Sequence, residues 1–545
     1  MKKNVIWGIG HYGRLCAMHL GLNNVHFFID SDKNKTGLFL GKEVITPDCV
    51  SEWTDIHIYV PLNYKAEIVD ALEKYAGSVD ISISVYGNNA LITEKRAEEE
   101  YKRAISELDK LDLSGYIDGA VFWTRVWAAD RDYAKGYINL ITSQRMLVVS
   151  EAYWISKDET EKHLKNEAVV SPSFSSCETV NVKEVLSKGK ISDALSGDTS
   201  IDEFVQSILE ANSEVSEEAA YYKAYKTYDF MEAVLKKGKF HYVIINGSDV
   251  PEHRLLSSIC KKYGAYTIYT HPAVLPGTIS FDPGGDVGDS IVTVYHKEFL
   301  ELPISSDDIA EAQKVLDYLR ESGLNRKPQP KHDWFKYIKD RIKAGRPKIF
   351  YAGQNDLVCS MIPYTEKSRI YQSPIFRSTF ECALYLAEIC KKNNWNFIYK
   401  PHPMYIGNGE EGLPENVIYI PSGDINEIVD FADLTVTIRS TTNYVSLIRK
   451  KPVLMLGYTQ TRGQGCTYEA YKKEEIESQI MLALTNGYTN EQEEKFIEHV
   501  TRLLKYYLYD DMGKRKIRYG MNIPCKLKDF FSLESKLKSL RNSRQ

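Results

Sequence analysis

The chain has 545 residues, with 69 Lys and Arg against 74 Asp and Glu, for a formal net charge of −5. That length exceeds one hydrophobic core and implies two or three domains, and the slightly acidic balance lacks the basic footprint of a nucleic-acid binder. No run approaches the roughly 20 apolar residues that cross a bilayer, and the nine cysteines show no C-x-x-C spacing, which points to reduced thiols rather than a disulfide framework.

Residues 1–95 alternate short apolar runs with helical patterns. Asn4–Trp7, Val25–Ile29, Ile56–Val60 and Ile81–Val85 read as strands, and Arg14–Leu22 and Tyr64–Tyr75 as helices, together a small parallel-sheet unit. Met1-Lys2-Lys3 and the apolar run behind it break at Gly8 with no small-residue cleavage site, so the chain is expected to be cytoplasmic, soluble or peripheral to a membrane. Thr93 to Leu111 is dense in Glu, Lys and Ala and reads as an exposed helix, the linker over 96–111.

Residues 112–335 form a second α/β region, clearest at the strand Tyr242–Asn246, the helix Pro251–Tyr263 and the strand Ala265–Tyr269. Segment 155–235 is polar, reads as Ser/Glu/Lys helices and carries little positional information. The linker Arg326–Lys331 and the break Gly345-Arg346-Pro347 frame a boundary, and residues 346–512 begin a third series. Its strands are Ile349–Tyr351, Phe397–Tyr399, Val417–Ile420, Leu434–Ile438 and Val453–Leu456, with helices starting near Ser378, Asp424, Thr442 and Tyr468. The expected fold is α/β, with two Rossmann-like domains facing a cleft behind a smaller Rossmann-like unit. Residues 513–545 close the chain as a basic tail, with ten Lys and Arg against two acids from Lys514 onward. Such a tail either rests on anionic lipid headgroups or forms a solvated terminal helix.

Two motifs carry chemistry. Gly8-Ile9-Gly10-His11-Tyr12-Gly13 lies between a strand and a helix, where Gly8, Gly10 and Gly13 permit a tight turn and bring backbone N–H groups to a phosphate. Asp30 ends the next strand, near the offset of a ribose-binding acid. NAD-dependent redox chemistry, nucleotide or nucleotide-sugar binding and a purely structural role all remain open for this unit.

The second motif is Lys400-Pro401-His402-Pro403 at the end of an apolar run. Proline has no N–H, so the strand cannot continue its ladder. A cation and an imidazole are then held at the carboxyl end of a sheet strand, where open α/β sheets bind ligands. Downstream, Ser440-Thr441-Thr442 lies at a strand-to-helix junction. Hydroxyls and free N–H groups there suit an anion, or simply cap the helix.

The N-terminal segment Phe28–Asp32, with Lys35-Thr36-Gly37 and Gly41–Ile45, resembles a small domain carried by sugar acyltransferases and other surface-glycan enzymes. Over residues 240–510 the chain resembles the capsule polysaccharide biosynthesis glycosyltransferases, including the bacterial β-Kdo transferases. The likeness rests on the His-Pro segment, the downstream Ser/Thr helix start, Gly353-Gln354-Asn355-Asp356, and Leu275 to Gly285, which is similar to their acceptor-side loop.

The resemblance implies a GT-B fold, a nucleotide-activated sugar donor (CMP-linked in the best-known members), and a glycan or lipid-linked glycan acceptor. It implies no divalent metal and no further cofactor. Lys400, His402, Ser440, Thr441 and Thr442 would hold the donor phosphate, with Gln354 and Asp356 lining the cleft.

The chain departs from the family at Thr270-His271-Pro272, where related enzymes often carry an acid and a glycine. A transferase needs a group for the acceptor's proton. His271, Asp249 and Asp282 are the candidates, with Glu252 a further rival.

Two alternatives stand beside the glycosyltransferase. One is a CDP-glycerol-dependent transferase of teichoic-acid type, which shares a Pro-His-Pro segment but usually carries an acid soon after its Ser cluster; here Asn443-Tyr444-Val445 follows. The other is a non-catalytic nucleotide-sugar scaffold using the N-terminal glycines.

Overall fold

Three sheets carry the described residues of the chain. In the computed structural model the described residues are 3–9, 13, 16, 17, 20, 22–52, 56–61, 81–86, 101, 102, 104–106, 108–114, 120–124, 146–151, 168–171, 201–211, 217–249, 251–326, 333–356, 359–402, 412–510 and 527–544. Gly10, the expected helix Tyr64–Tyr75 and Pro403 lie outside them.

The first sheet holds β1 (Lys3–Trp7), β2 (Phe27–Ile29), β3 (Gly37–Phe39), β4 (Lys42–Ile45), β5 (Ile56–Pro61) and β6 (Ile81–Tyr86) in the order β3-β4-β2-β1-β5-β6. Val5, Ile6, Phe28 and Ile29 are all fully buried, so both faces are covered, as a parallel sheet requires. Only β3 runs antiparallel to its neighbour.

The second sheet holds β7 (Ala120–Thr124), β8 (Met146–Glu151), β9 (Ala168–Ser171), β10 (Tyr242–Asn246), β11 (Tyr266–Pro272) and β12 (Thr278–Asp282). The third holds β13 (Lys348–Ala352), β14 (Asn396–Lys400), β15 (Val417–Tyr419), β16 (Leu434–Thr437), β17 (Val453–Met455) and β18 (Tyr468–Glu469), in the order β15-β14-β13-β16-β17-β18. A final strand, β19 (Leu508–Asp510), returns to the second sheet and completes the order β19-β12-β11-β10-β7-β8-β9. The C-terminal segment therefore crosses back to the second sheet.

One apolar cluster joins the two larger halves. It contains Leu275, Ile291 and Phe299 beside the second sheet, Tyr444, Leu447 and Val453 of the third, and Phe496, Val500 and Leu503 of the returning helix Asn490–Tyr506.

Three local expectations change. The Leu275-Pro276-Gly277-Thr278 stretch is a turn rather than part of an open loop: Gly277 has φ +72°, Thr278 N donates to Leu275 O at 3.1 Å, and β12 then pairs antiparallel with β11. Proline followed by a glycine of positive φ specifies such a reversal. Tyr468 opens the short strand β18 rather than a helix, and the helix Lys473–Asn486 begins after it.

The linker helix is not exposed on all sides. Ala104 and Leu108 are buried in a cluster with Phe230 and Met231. The polar helices read within 155–235 are present in its described part as Ile201–Ala211 and Glu217–Gly238, which bury Phe204, Val205, Val234 and Leu235.

The described part of the basic tail is docked. Leu537 of the helix Ser532–Asn542 is fully buried, Phe530 stacks on Phe281 at 4.2 Å, and Arg541 reaches Glu298 at 3.0 Å. Among the described residues of the tail, Arg544 also reaches Glu298, at 3.6 Å. Among the described residues, no helix is long and apolar enough to cross a membrane.

Candidate functional site

The third sheet reverses its strand order between β13 and β16, which opens a crevice at their carboxyl ends. Register brings the sequence-derived residues to this edge: Ala352 pairs with Lys400, and Tyr351 with Val436. Gly353 continues the ladder, its N–H donating to Lys400 O at 2.9 Å. A Cβ at Gly353 would meet the Tyr399 ring at 3.0 Å and Pro401 Cα at 3.1 Å, so glycine lets the strand end and the Lys-Pro-His turn approach closely.

Asp356 then accepts from the first N–H of the helix Thr379–Lys392, whose N-cap is Ser378, and Gln354 braces the same residue. Thr379 N donates to Asp356 Oδ2 at 2.8 Å, Gln354 N donates to Thr379 Oγ1 at 3.1 Å, and Gln354 Nε2 reaches Asp356 Oδ1 at 3.3 Å. Burial pushes the Asp356 carboxyl up to about 6, and Gln354 Oε1 is buried without a partner. Lys400 and His402 stand half-buried beside them.

Ser440 Oγ lies 2.9 Å from Thr442 Oγ1 and accepts from Thr442 N at 3.3 Å, so it caps the short helix Thr442–Ile448. Ser440, Thr441 and Thr442 are half-buried, whereas Asn443 is buried. Asn443 Nδ2 donates to Thr459 Oγ1 at 3.2 Å and Thr461 Oγ1 at 3.3 Å, pinning the loop after β17.

The second sheet reverses its order between β7 and β10, which places Gly247, Ser248 and Asp249 at its own carboxyl edge. That turn is stitched to the loop after β12. Ser248 N donates to Asp286 Oδ2 at 2.8 Å, Ser248 Oγ to Asp289 Oδ1 at 3.1 Å, and Asp286 N to Asp289 Oδ1 at 3.0 Å. A Cβ at Gly285 would sit 2.1 Å from Asp289 Cγ, so only glycine fits there. Burial, followed by the charge of Asp249, raises the carboxyls of Asp286 and Asp289.

The two edges meet. Arg439, one residue before Ser440, places Nη2 2.8 Å from Asp249 Oδ2 and donates Nη1 to Cys359 O at 2.9 Å. Ser360 Oγ donates to Asp249 O, and Gln372 Nε2 to Asp249 Oδ1 at 3.4 Å. The third sheet thus reaches the second through both of its β13 and β16 loops.

Asp282 lies deeper and is fully buried. It accepts from Ser290 Oγ at 2.7 Å, Tyr507 OH at 2.8 Å, Gly284 N at 2.7 Å and Gly285 N at 3.1 Å, with Ile291 N also in reach. Burial outweighs these donors and pushes its carboxyl up to about 7. Its geometry is that of a hub holding the 284–291 loop. His271 is half-buried in β11 opposite Ser280, one residue past the Asn246–Thr270 pairing. Glu252 sits in the first turn of the helix Pro251–Lys262.

In the N-terminal sheet, Gly8 has φ +97°, and a Cβ at Gly13 would lie 1.9 Å from Gly8 O. Asp30 faces this turn, but both oxygens are engaged: Oδ2 accepts from Ile9 N at 3.2 Å, Oδ1 from Asp32 N at 3.0 Å, and Lys35 pairs with it at 3.6 Å. Arg439, Ser248 and Asp286 escaped the sequence reading. The glycine pair before Asp286 is the signal that marks its loop.

No protein-family model matches the sequence, and no curated protein matches it. Among solved structures, the chain is similar to the KpsC β-Kdo 2,7-transferase of Thermosulfurimonas dismutans, at 18% identity and TM-score 0.32, over 56% of this chain and 89% of that one. It is similar to the UDP-GlcNAc 2-epimerase of Methanocaldococcus jannaschii, at 12% identity and TM-score 0.31, over 69% and 97%. It is similar to the wall teichoic acid polymerase TagF, at 11% identity and TM-score 0.24, over 82% and 94%. The architecture rests on the strand orders and the contacts between sheets: an α/β chain whose two larger Rossmann-like sheets face each other through their carboxyl edges, in the manner of a GT-B frame.

Proposed function

We propose that this chain is a glycosyltransferase of bacterial surface-polysaccharide assembly, taking a sugar from a nucleotide-activated donor to a glycan or lipid-linked glycan. The observation that carries the reading is the meeting of two switch points. One edge gathers Lys400, His402, Gln354, Asp356 and Ser440 to Thr442, and the facing edge gathers Asp249, Ser248 and Asp286. Cations, imidazole and hydroxyls suit a donor phosphate, and carboxylates suit acceptor hydroxyls.

In this reading Lys400 and His402 neutralise charge that grows on the leaving phosphate, and the closed edges hold donor and acceptor in line. The resemblance in sequence favours a CMP-linked donor such as CMP-Kdo. The CDP-glycerol reading is disfavoured by Asn443: the place after the Ser/Thr cluster holds a buried amide committed to Thr459 and Thr461, not an acid. The N-terminal sheet is assigned an accessory role, because Asp30 is already engaged.

Thermal shift with CMP, UDP and CDP-glycerol tests the donor class. A ligand at about 100 times its Kd stabilises the protein by roughly 2.7 kcal/mol. A shift with CDP-glycerol and none with CMP or UDP would sink the proposal. Retained transfer after deletion of residues 1–95 is the expected outcome for an accessory N-terminal unit.

A further inference from the structure

Asp286 stands apart from the other carboxylates of the cleft. Its Oδ2 accepts from Ser248 N at 2.8 Å, but Oδ1 is buried with no hydrogen-bond partner, on a residue 5% exposed. Its neighbours are committed. Asp249 serves Arg439 and Gln372, Asp282 serves Ser290, Tyr507 and backbone N–H groups, and Asp289 Oδ1 takes both Ser248 Oγ and Asp286 N. Among these four carboxylates, Asp286 is the one with a buried oxygen that lacks a donor. A buried acceptor left unmade is destabilising, and such a group calls for a ligand or a chemical role.

Position supplies the role. The 284–290 loop is stitched to the turn at the switch point of the second sheet, and Asp249 of that turn touches Arg439 beside the Ser440 cluster. Asp286 is thus linked through Ser248 and its neighbour Asp249 to the arginine beside the Ser440 cluster. His271, the sequence's own candidate, lies in β11 beyond this turn.

Resting on the glycosyltransferase reading, we propose that Asp286 is the catalytic base for the acceptor hydroxyl, acting through Oδ1. In the transfer the acceptor oxygen forms its bond to the anomeric carbon and its proton passes to Asp286 Oδ1. The bond from that carbon to the donor phosphate oxygen breaks, with its electron pair staying on the phosphate. The surroundings suit a base: burial, Asp249 and Asp289 favour the protonated form, while Arg439 and the Ser248 N–H oppose it, and Lys367 faces Asp289. A carboxyl raised in this way binds a proton more tightly than an ordinary one. The close glycine Gly247, whose Cβ would lie 2.9 Å from Asp286 Oδ2, lets the carboxylate reach this place.

The test uses the full chain with CMP-Kdo and UDP-N-acetylglucosamine as donors and a panel of soluble oligosaccharides as acceptors. Wild-type transfer establishes the reading on which the proposal rests; no transfer from either donor overturns both together. With transfer in hand, Asp286→Asn is expected to lower kcat by about 100-fold or more while leaving the thermal shift by CMP or UDP unchanged. Asp286→Glu is expected to keep a measurable rate with the acid limb of the kcat–pH profile displaced. A merely structural role moves the melting temperature but not that limb. Wild-type kcat in Asp286→Asn overturns the proposal and leaves the glycosyltransferase standing. If Asp286→Asn fails to fold, an unmoved acid limb in Asp286→Glu overturns it instead.

Discussion

Arg439, just past β16, and Asp249, just past β10, form one ion pair, Nη2 to Oδ2 at 2.8 Å, that joins the two sheets through their carboxyl edges. The Arg439 side chain is 1% exposed and that of Asp249 11%, so the pair is held out of water. Removing one partner of such a pair leaves an uncompensated buried charge. Arg439→Met or Asp249→Leu alone is expected to destabilise the protein by about 3–5 kcal/mol, and the double variant by much less. A urea double-mutant cycle measures this; a double variant as unstable as the sum of the singles would show that the pair does not act as a unit.

Asp282 predicts a pH dependence. Its carboxyl is pushed up to about 7 in the folded chain from an ordinary value of 3.8. Folding therefore favours its protonated form, and its contribution is fully present below the ordinary carboxylate range. That contribution is lost as pH rises through about 7. Between these values it lowers stability by up to about 1.4 kcal/mol per pH unit. Asp282→Asn should flatten the fall of the urea midpoint between mildly acidic and neutral pH. An unchanged slope would remove Asp282 as its source.

Gly285 predicts a steric effect. A Cβ there meets the Asp289 carboxylate at 2.1 Å, and the same loop is anchored by Asp282. Gly285→Ala is expected to cost about 1–3 kcal/mol by overpacking, read as a lower melting temperature. It should also lower transfer, because Asp286 follows directly. An alanine variant with wild-type melting and activity would show that the loop has slack.

His402 predicts a functional effect with little structural one. It is half-buried at a strand end, so His402→Ala should leave the melting temperature near wild type. Loss of one group that stabilises transition-state charge typically removes about 100- to 1,000-fold in kcat. Unchanged transfer from every nucleotide-sugar in a folded variant would remove His402 from the donor site.

Local pattern alone placed most strands of the third sheet within a residue or two. Val417, Leu434 and Val453 begin strands where the apolar runs predict them, because a parallel strand buried on both faces must be apolar throughout. The helix starts at Ser378 and Asp424 were legible for an equally local reason: each side chain accepts from an N–H two or three residues on.

The sequence by itself also determined that Lys400 and His402 stand at a strand end, since the prolines forbid a continuing ladder. Whether that end faces anything was decided only by tertiary structure. Strand order, a property of non-local pairing, opens each crevice, and the contacts between the sheets, Arg439 with Asp249 among them, put the β13–β16 crevice opposite the β7–β10 crevice. The same holds for Arg439 and Asp249, 190 positions apart in the chain, and for Asp286, whose role depends on a loop stitched to a distant turn. Arg439 carries no periodic or motif signal of its own: what selects it is the pairing of a buried charge between two folded sheets rather than anything in the local chain.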